Sequence, residues 1–163
     1  IKEFYNDVNM VKLDIQKFAE ADLNYHAYTG TKLSYSATKE GTFKQIKGLT
    51  TTPDIGSEPE DIETTSMDNL KFKTAIQGLQ DVQKYTFEFN MEDPATEANI
   101  KLASDLEDAG QPVFWKYELS NGVTISFRSK VSTMIRGGSY GDIIGFNMTL
   151  SPIDEPVIDL GVA

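Results

Sequence analysis

The chain has 163 residues and a mass of 18.1 kDa, the size of one ordinary domain, which argues against a two-domain enzyme. Its 39% hydrophobic and 25% charged residues make a globular composition and exclude global disorder. Fifteen basic against 25 acidic residues leave a formal charge of -10, which opposes a general nucleic-acid-binding surface, and the lack of Cys excludes disulfides, thiolate zinc sites and thiol nucleophiles.

Residue 1 is Ile rather than Met, so the natural start is open, with Met10 one candidate. No apolar run approaches the ~20 residues needed to cross a bilayer, and membrane insertion is not expected. In the first twenty residues Ile1, Phe4, Val8, Val11, Ile15 and Phe18 follow a helical spacing, while Val11, Leu13 and Ile15 also alternate as in a strand. Residues 1–30 therefore read as an N-terminal arm or extension.

From residue 31 onward period-2 alternation dominates, the mark of strands with one buried and one solvated face. Leu33 and Tyr35, the stretch 42–47 and the stretch 70–76 are weaker strand candidates. Segment 49–69, rich in Thr, Ser, Pro, Gly and acid, carries little periodicity and reads as a long loop; loops above roughly 12–15 residues are usually functional or disordered. Tyr85, Phe87, Phe89 and Met91 share one strand face opposite Thr86, Glu88 and Asn90.

One segment breaks the pattern. After Asp93-Pro94, read as an N-cap and a first-turn proline, Ala95, Ala98, Leu102, Leu106 and Ala109 recur at helical spacing until Gly110 and Pro112, predicting a helix over 94–109. Val113, Trp115, Tyr117 and Leu119 then alternate with Lys116 and Glu118. Asn121-Gly122 signals a two-residue turn into Val123, Ile125 and Phe127, so 113–136 reads as a long hairpin. Ile144, Phe146, Met148 and Leu150 form a last strand before Pro152, and 153–163 reads as a C-terminal arm. Six to eight strands with one flanking helix is a mainly β sandwich or barrel, with its body over 31–152.

Chemistry is sparsely represented. His26 has no second His or Cys with which to share a metal or build a nucleophilic relay. The glycines of Arg136-Gly137-Gly138-Ser139-Tyr140-Gly141 lack the lysine and following helix of a phosphate loop and fit a strand connection better. Glu58, Glu60, Asp61 and Glu63 match no calcium loop, and no spacing singles out a carboxylate pair for glycoside hydrolysis. No catalytic, cofactor-binding or metal-binding residue is assigned, and no cofactor is expected.

The stretch from Gly48 through Thr65, with Pro53, Ile55-Gly56 and Pro59-Glu60 ahead of an acid- and Thr-rich run, resembles the loop of tail tube proteins (major tail proteins) of long-tailed bacteriophages. Met67-Asp68-Asn69-Leu70 is similar to that family's acid-rich turn, and Lys73 through Asp81 to its next segment, with Ala75 and Gln77 in place of a Tyr and a Pro. Phe114 through Leu119, Asn121 through Phe127 and Lys130-Val131-Ser132 are similar to its later strands, with Asn121 for an Asp and Lys130 for a Gly. The resemblance spans roughly 41–152.

It implies a β-sandwich protomer with one flanking helix, six of which form a ring, the rings stacking into a tube that conducts the genome into the host. The implied partners are further copies of the chain, a tape measure protein and tail-end proteins, with DNA passing through the lumen unbound. The implied place is the virion tail, assembled in the host bacterial cytoplasm. The long loop would carry the ring-to-ring contact through Leu49, Pro53, Asp54, Ile55, Glu58, Pro59, Glu60, Asp61, Asp68 and Leu70, with the prolines stiffening it. Glu88, Lys116 and Glu118 are candidates for a lumen-facing or outer surface.

Two other classes compete. A monomeric β-sandwich binding module, such as a carbohydrate-binding domain, would stack sugars on an exposed Trp115 or Tyr140, although the phase of Trp115 with Val113 and Tyr117 favours its burial. A small hydrolase would need a carboxylate pair.

Overall fold

A computed structural model describes residues 25–68 and 72–162. Its elements in chain order are β1 (Lys32–Ser36), β2 (Lys44–Ile46), β3 (Leu49–Thr51), β4 (Ser57–Glu63), β5 (Ala75–Val82), β6 (Tyr85–Asn90), α1 (Asn99–Ala109), β7 (Val113–Glu118), β8 (Thr124–Ile135), β9 (Gly145–Pro152) and β10 (Val157–Asp159). The ambiguous first twenty residues lie outside the described region.

Alternation builds the core as the sequence predicts. Tyr85, Phe87 and Phe89 of β6 are buried, as are Val113, Trp115 and Tyr117 of β7, Ile125 and Phe127 of β8, and Phe146, Met148 and Leu150 of β9. These strands join one antiparallel sheet in the order β2-β1-β7-β8-β9-β6-β3, with β10 also on β8. The twelve-residue β8 is the fold's hinge: Thr124–Ser129 pair with β7, Ser129–Ile135 pair with β9. The sheet doubles over there, so that β6 faces strands it does not pair with. Tyr85 meets Phe127 edge-on at 5.4 Å between ring centroids, and Phe87 meets Tyr117 at 5.5 Å.

The two ends of this path, β2 and β3, are joined covalently through Lys47-Gly48 and turn a corner instead of pairing, so the sheet is not a closed barrel. Gly48 has φ 86°, and a Cβ there would lie 2.6 Å from the Asn90 carbonyl oxygen. Asn99, buried at the start of α1, clamps this corner: its Nδ2 donates to the carbonyls of Lys47 (2.8 Å) and Asn90 (2.7 Å), and its Oδ1 accepts from the Glu92 N–H (3.1 Å). Glu92 returns a carboxylate oxygen to the Asn99 N–H at 3.0 Å.

That exchange explains why α1 starts at Asn99 and not at Pro94. Residues 95–98 form a turn closed by Ala98 N–H to Ala95 O, and the helix N-terminus is satisfied by Glu92 rather than by an Asp93 cap. Gly110 ends the helix at φ 63°, where the sequence places the stop.

Five further expectations are refined. Segment 49–69 is not a loop, since it contains β3 and β4, and β4 pairs with β5 in a separate antiparallel hairpin. The strand expected over 70–76 begins only at Ala75 and runs to Val82. The β7–β8 connection is a three-residue loop, Ser120–Gly122, in which the Gly122 N–H donates to Leu119 O and Gly122 sits at φ 92°. Ile144 precedes β9 and is exposed, and the C-terminal arm contains β10, which pairs with Thr124–Ser126 of β8.

Candidate assembly surfaces

The β4–β5 hairpin stands off the main sheet. Its register opposes Ser57 to Val82, Glu58 to Asp81, Pro59 to Gln80, Asp61 to Gln77, Ile62 to Ile76 and Glu63 to Ala75, with one extra residue on β5, where Gly78 and Leu79 together face Glu60. Opposed residues point the same way, so the register sorts the hairpin into two faces. Glu58, Glu60, Ile62, Ile76, Gly78, Leu79 and Asp81 share one; Ile62 lies over Gly78, where a Cβ would come within 3.0 Å of its side chain. Pro59, Asp61, Glu63, Gln77 and Gln80 share the other. Tyr85 ties the base down, its hydroxyl donating to Gly56 O at 3.2 Å.

Little of this arm is covered by its own chain. Leu79 is 88% exposed and Phe72 79%, and Ile62, Met67 and Ile76 are exposed as well. Full burial of such a side chain is worth about 1.5–3 kcal/mol, a gain the isolated chain forgoes at each of these positions. A second apolar patch lies around the β8–β9 connection, with Met134, Ile135, Tyr140, Ile143 and Ile144 exposed.

Of the residues the sequence assigns to the contact loop, Asp54, Glu58, Glu60, Asp61 and Asp68 are exposed. Pro53 and Pro59 are half-buried, while Leu49 and Ile55 pack against the domain's own core. Leu70 lies outside the described residues. Ile62, Ile76 and Leu79 were missed because period-2 reasoning seeks strands with a buried face, and neither face of this hairpin is buried within the chain.

Glu88, Lys116 and Glu118 do not share a surface. Glu88 is on the outer face of β6, beside Thr86, in register with Asn147 of β9, and paired with Arg136 at 3.2 Å. Thr86 and Thr149 are bonded across the same face at 3.1 Å. Lys116 and Glu118 lie on the outer face of β7 and pair with each other at 2.8 Å.

On that second face, between β7, β8, the β1–β2 connection and the chain entering β10, is a groove of about 460 Å³. Phe114, Lys116, Ser126 and Arg128 are on its floor, Lys39 and Phe43 on one side, and Asp154, Glu155 and Val157 on the other. Arg128 lies 5.9 Å from the centroid of the Phe114 ring and pairs with Asp154 at 2.9 Å.

The remaining chemical candidates find no site. Trp115 is 1% exposed and cannot stack on a sugar, whereas Tyr140 is exposed. His26 is exposed beside Ser120 and Asn121. The glycine-rich stretch is a strand connection held by Asp142, whose Oδ2 accepts from the Ser139 N–H at 2.6 Å. Among the described residues no three His, Cys, Asp or Glu side chains are grouped to hold a metal. No described helix is long and apolar enough to cross a membrane.

No family model matches the chain, and no curated protein matches it in sequence. Solved structures do match. A chain from the tail of an empty gene transfer agent particle, computed with helical refinement in C6 symmetry, superposes with a TM-score of 0.64 at 14% identity, over 83% of this chain and 99% of that one. A chain from the virion of the native gene transfer agent gives 0.61 at 14% identity, again over 83% and 99%. A chain from the 6-fold symmetrised baseplate of the anti-feeding prophage gives 0.62 at 8% identity, over 78% and 91%. The fold is therefore that of chains in the tails of phage-like particles, in agreement with the resemblance in the sequence.

Proposed function

We propose that the chain is a non-catalytic tail tube subunit that assembles into stacked six-fold rings, forming a conduit through which DNA is delivered. The observation that carries this reading is the β4–β5 hairpin, which exposes Ile62, Ile76 and Leu79 on an arm that its own fold does not need. An arm of this kind is stabilised by a neighbour, and the relatives in fold belong to assemblies of C6 or 6-fold symmetry. Strands β3 and β10 each pair on one side only, leaving sheet edges that a closed ring would occupy.

In this reading the outer face of β6 and β9 lines the lumen. Thr86, Asn147 and Thr149 offer hydroxyls and amides, and Glu88 is neutralised by Arg136, so little there would hold a phosphate. A net charge of -10 per subunit, repeated along the tube, further favours passage over binding. A tape measure protein and tail-end proteins are the partners of such a tube, and the virion tail, assembled in the host cytoplasm, is its place.

Negative-stain electron microscopy across a concentration series tests the proposal. The companion variant removes 58–81 and joins Ser57 to Val82, which oppose each other in the register, through an Asn-Gly turn. Wild type should form hollow tubes or six-fold rings, and the variant should keep its cooperative unfolding but form no tubes. A wild type that stays monomeric at high concentration, or a variant that still forms tubes, overturns the reading.

A further inference from the structure

We propose that the groove on the outer face of β7 and β8 receives the β4–β5 hairpin of a second copy of this chain, with Leu79 as the inserted side chain; this rests on the self-assembly reading above. Two surfaces of the same molecule complement each other in apolar character and charge.

The hairpin face around Leu79 is a local conflict in the isolated chain. Glu58 and Asp81 are directly opposed across the strands, with Glu60 on the same face. Like charges opposite each other destabilise a strand pair, and among the described residues the one ion pair on this hairpin is Lys73 with Glu63 at 3.7 Å. The most exposed apolar side chain of β4 and β5, Leu79, lies between these carboxylates. A surface that relieves both defects must offer an apolar recess bordered by cations.

The groove has that character. Phe43, Phe114 and Val157 give it apolar walls, and three cations, Lys39, Lys116 and Arg128, border them against two carboxylates, Asp154 and Glu155, an excess of positive charge in a chain whose net charge is strongly acidic. Asp154 and Glu118 engage Arg128 and Lys116 in half-exposed pairs, which a docking carboxylate can share. Lys39 has no carboxylate partner within 4.0 Å among the described residues. The recess, about 460 Å³, has room for a leucine and its neighbours. Floor and walls come from β7, β8 and the segments flanking β2 and β10, none of which the hairpin excision described above removes.

The absence of Cys makes the test clean. Single variants Leu79→Cys and Ser126→Cys, the second in a size-tagged chain, are mixed, assembled and oxidised, with Thr86→Cys replacing Ser126→Cys as the control on the opposite face. The expected product is a covalent dimer between the Leu79→Cys and Ser126→Cys chains, at least tenfold more abundant than with Thr86→Cys. In parallel Lys39→Glu should weaken assembly, and Glu58→Lys in the same chain should restore it.

Tubes by electron microscopy without the Leu79–Ser126 cross-link would overturn the groove as receptor while leaving the tube reading intact. No assembly of wild type at any concentration would remove both. Cross-linking confined to Thr86→Cys would place the hairpin on the other face and also overturn the proposal.

Discussion

Replacing Asn99 should destabilise the domain more than any other single change in α1, because one side chain ties together β2, β3, β6 and the helix start. Asn99→Ala deletes the bonds to Lys47 O, Asn90 O and the Glu92 N–H, made at 2.8, 2.7 and 3.1 Å. At about 1 kcal/mol for each net hydrogen bond the loss is about 3 kcal/mol, or about 6–12 °C in Tm for a chain of this size. Urea unfolding followed by Trp115 fluorescence would measure it, with an unchanged m-value marking a true stability effect.

Asn99→Asp separates the cause from packing alone. It keeps the volume and the acceptor oxygen but sets a carboxylate oxygen against two carbonyls, with the Glu92 carboxylate nearby. The fold then favours the protonated acid and raises its pKa above the unfolded value of about 3.9. The folded state binds the extra proton, so stability is retained at low pH and lost as pH rises through the folded pKa. The deficit of Asn99→Asp relative to wild type should therefore grow between about pH 4 and pH 8, while that of Asn99→Ala stays flat. A loss below about 1 kcal/mol for Asn99→Ala, or a pH-independent deficit for Asn99→Asp, would refute the assignment of Asn99 as the clamp.

Other predictions follow from the same geometry. A Cβ at Gly145 would lie 2.6 Å from Phe89 O and collide with the Arg136 guanidinium, so Gly145→Ala should cost about 1–3 kcal/mol and break the Glu88–Arg136 pair, as denaturant unfolding would record. Burial holds the Tyr35, Tyr85 and Tyr117 phenols above their ordinary pKa, so the folded state keeps their protons longer. Stability should fall as pH rises from about 10, and a near-ultraviolet titration should show these phenols ionising at higher pH than the exposed tyrosines. Leu79→Ser should leave monomer stability within about 0.5 kcal/mol of wild type, because the side chain is almost fully exposed, yet raise the concentration needed for assembly by sedimentation velocity.

The sequence determined the core by itself. Period-2 burial of Tyr85, Phe87 and Phe89, of Val113, Trp115 and Tyr117, and of Phe146, Met148 and Leu150 is a local pattern, because burying one face of a strand requires alternation. The Gly110 stop and the turn at Gly122 were legible for a similar reason, since a positive φ is a property of the residue itself.

What failed to show was whatever depends on residues far apart. The helix start moved from Pro94 to Asn99 because Asn99 is held by Lys47, far away in the chain, as well as by Asn90 and Glu92. The β4–β5 hairpin read as a loop because hydrophobic periodicity reports burial, and this hairpin buries neither face in its own chain. Glu88 was separated from Lys116 and Glu118 only by the doubling of the sheet at β8, which no single strand encodes. The groove is likewise a tertiary product: Phe114 and Arg128 are neighbours through the β7–β8 register, and Asp154 and Val157 close over them only because the chain after β9 returns to β8.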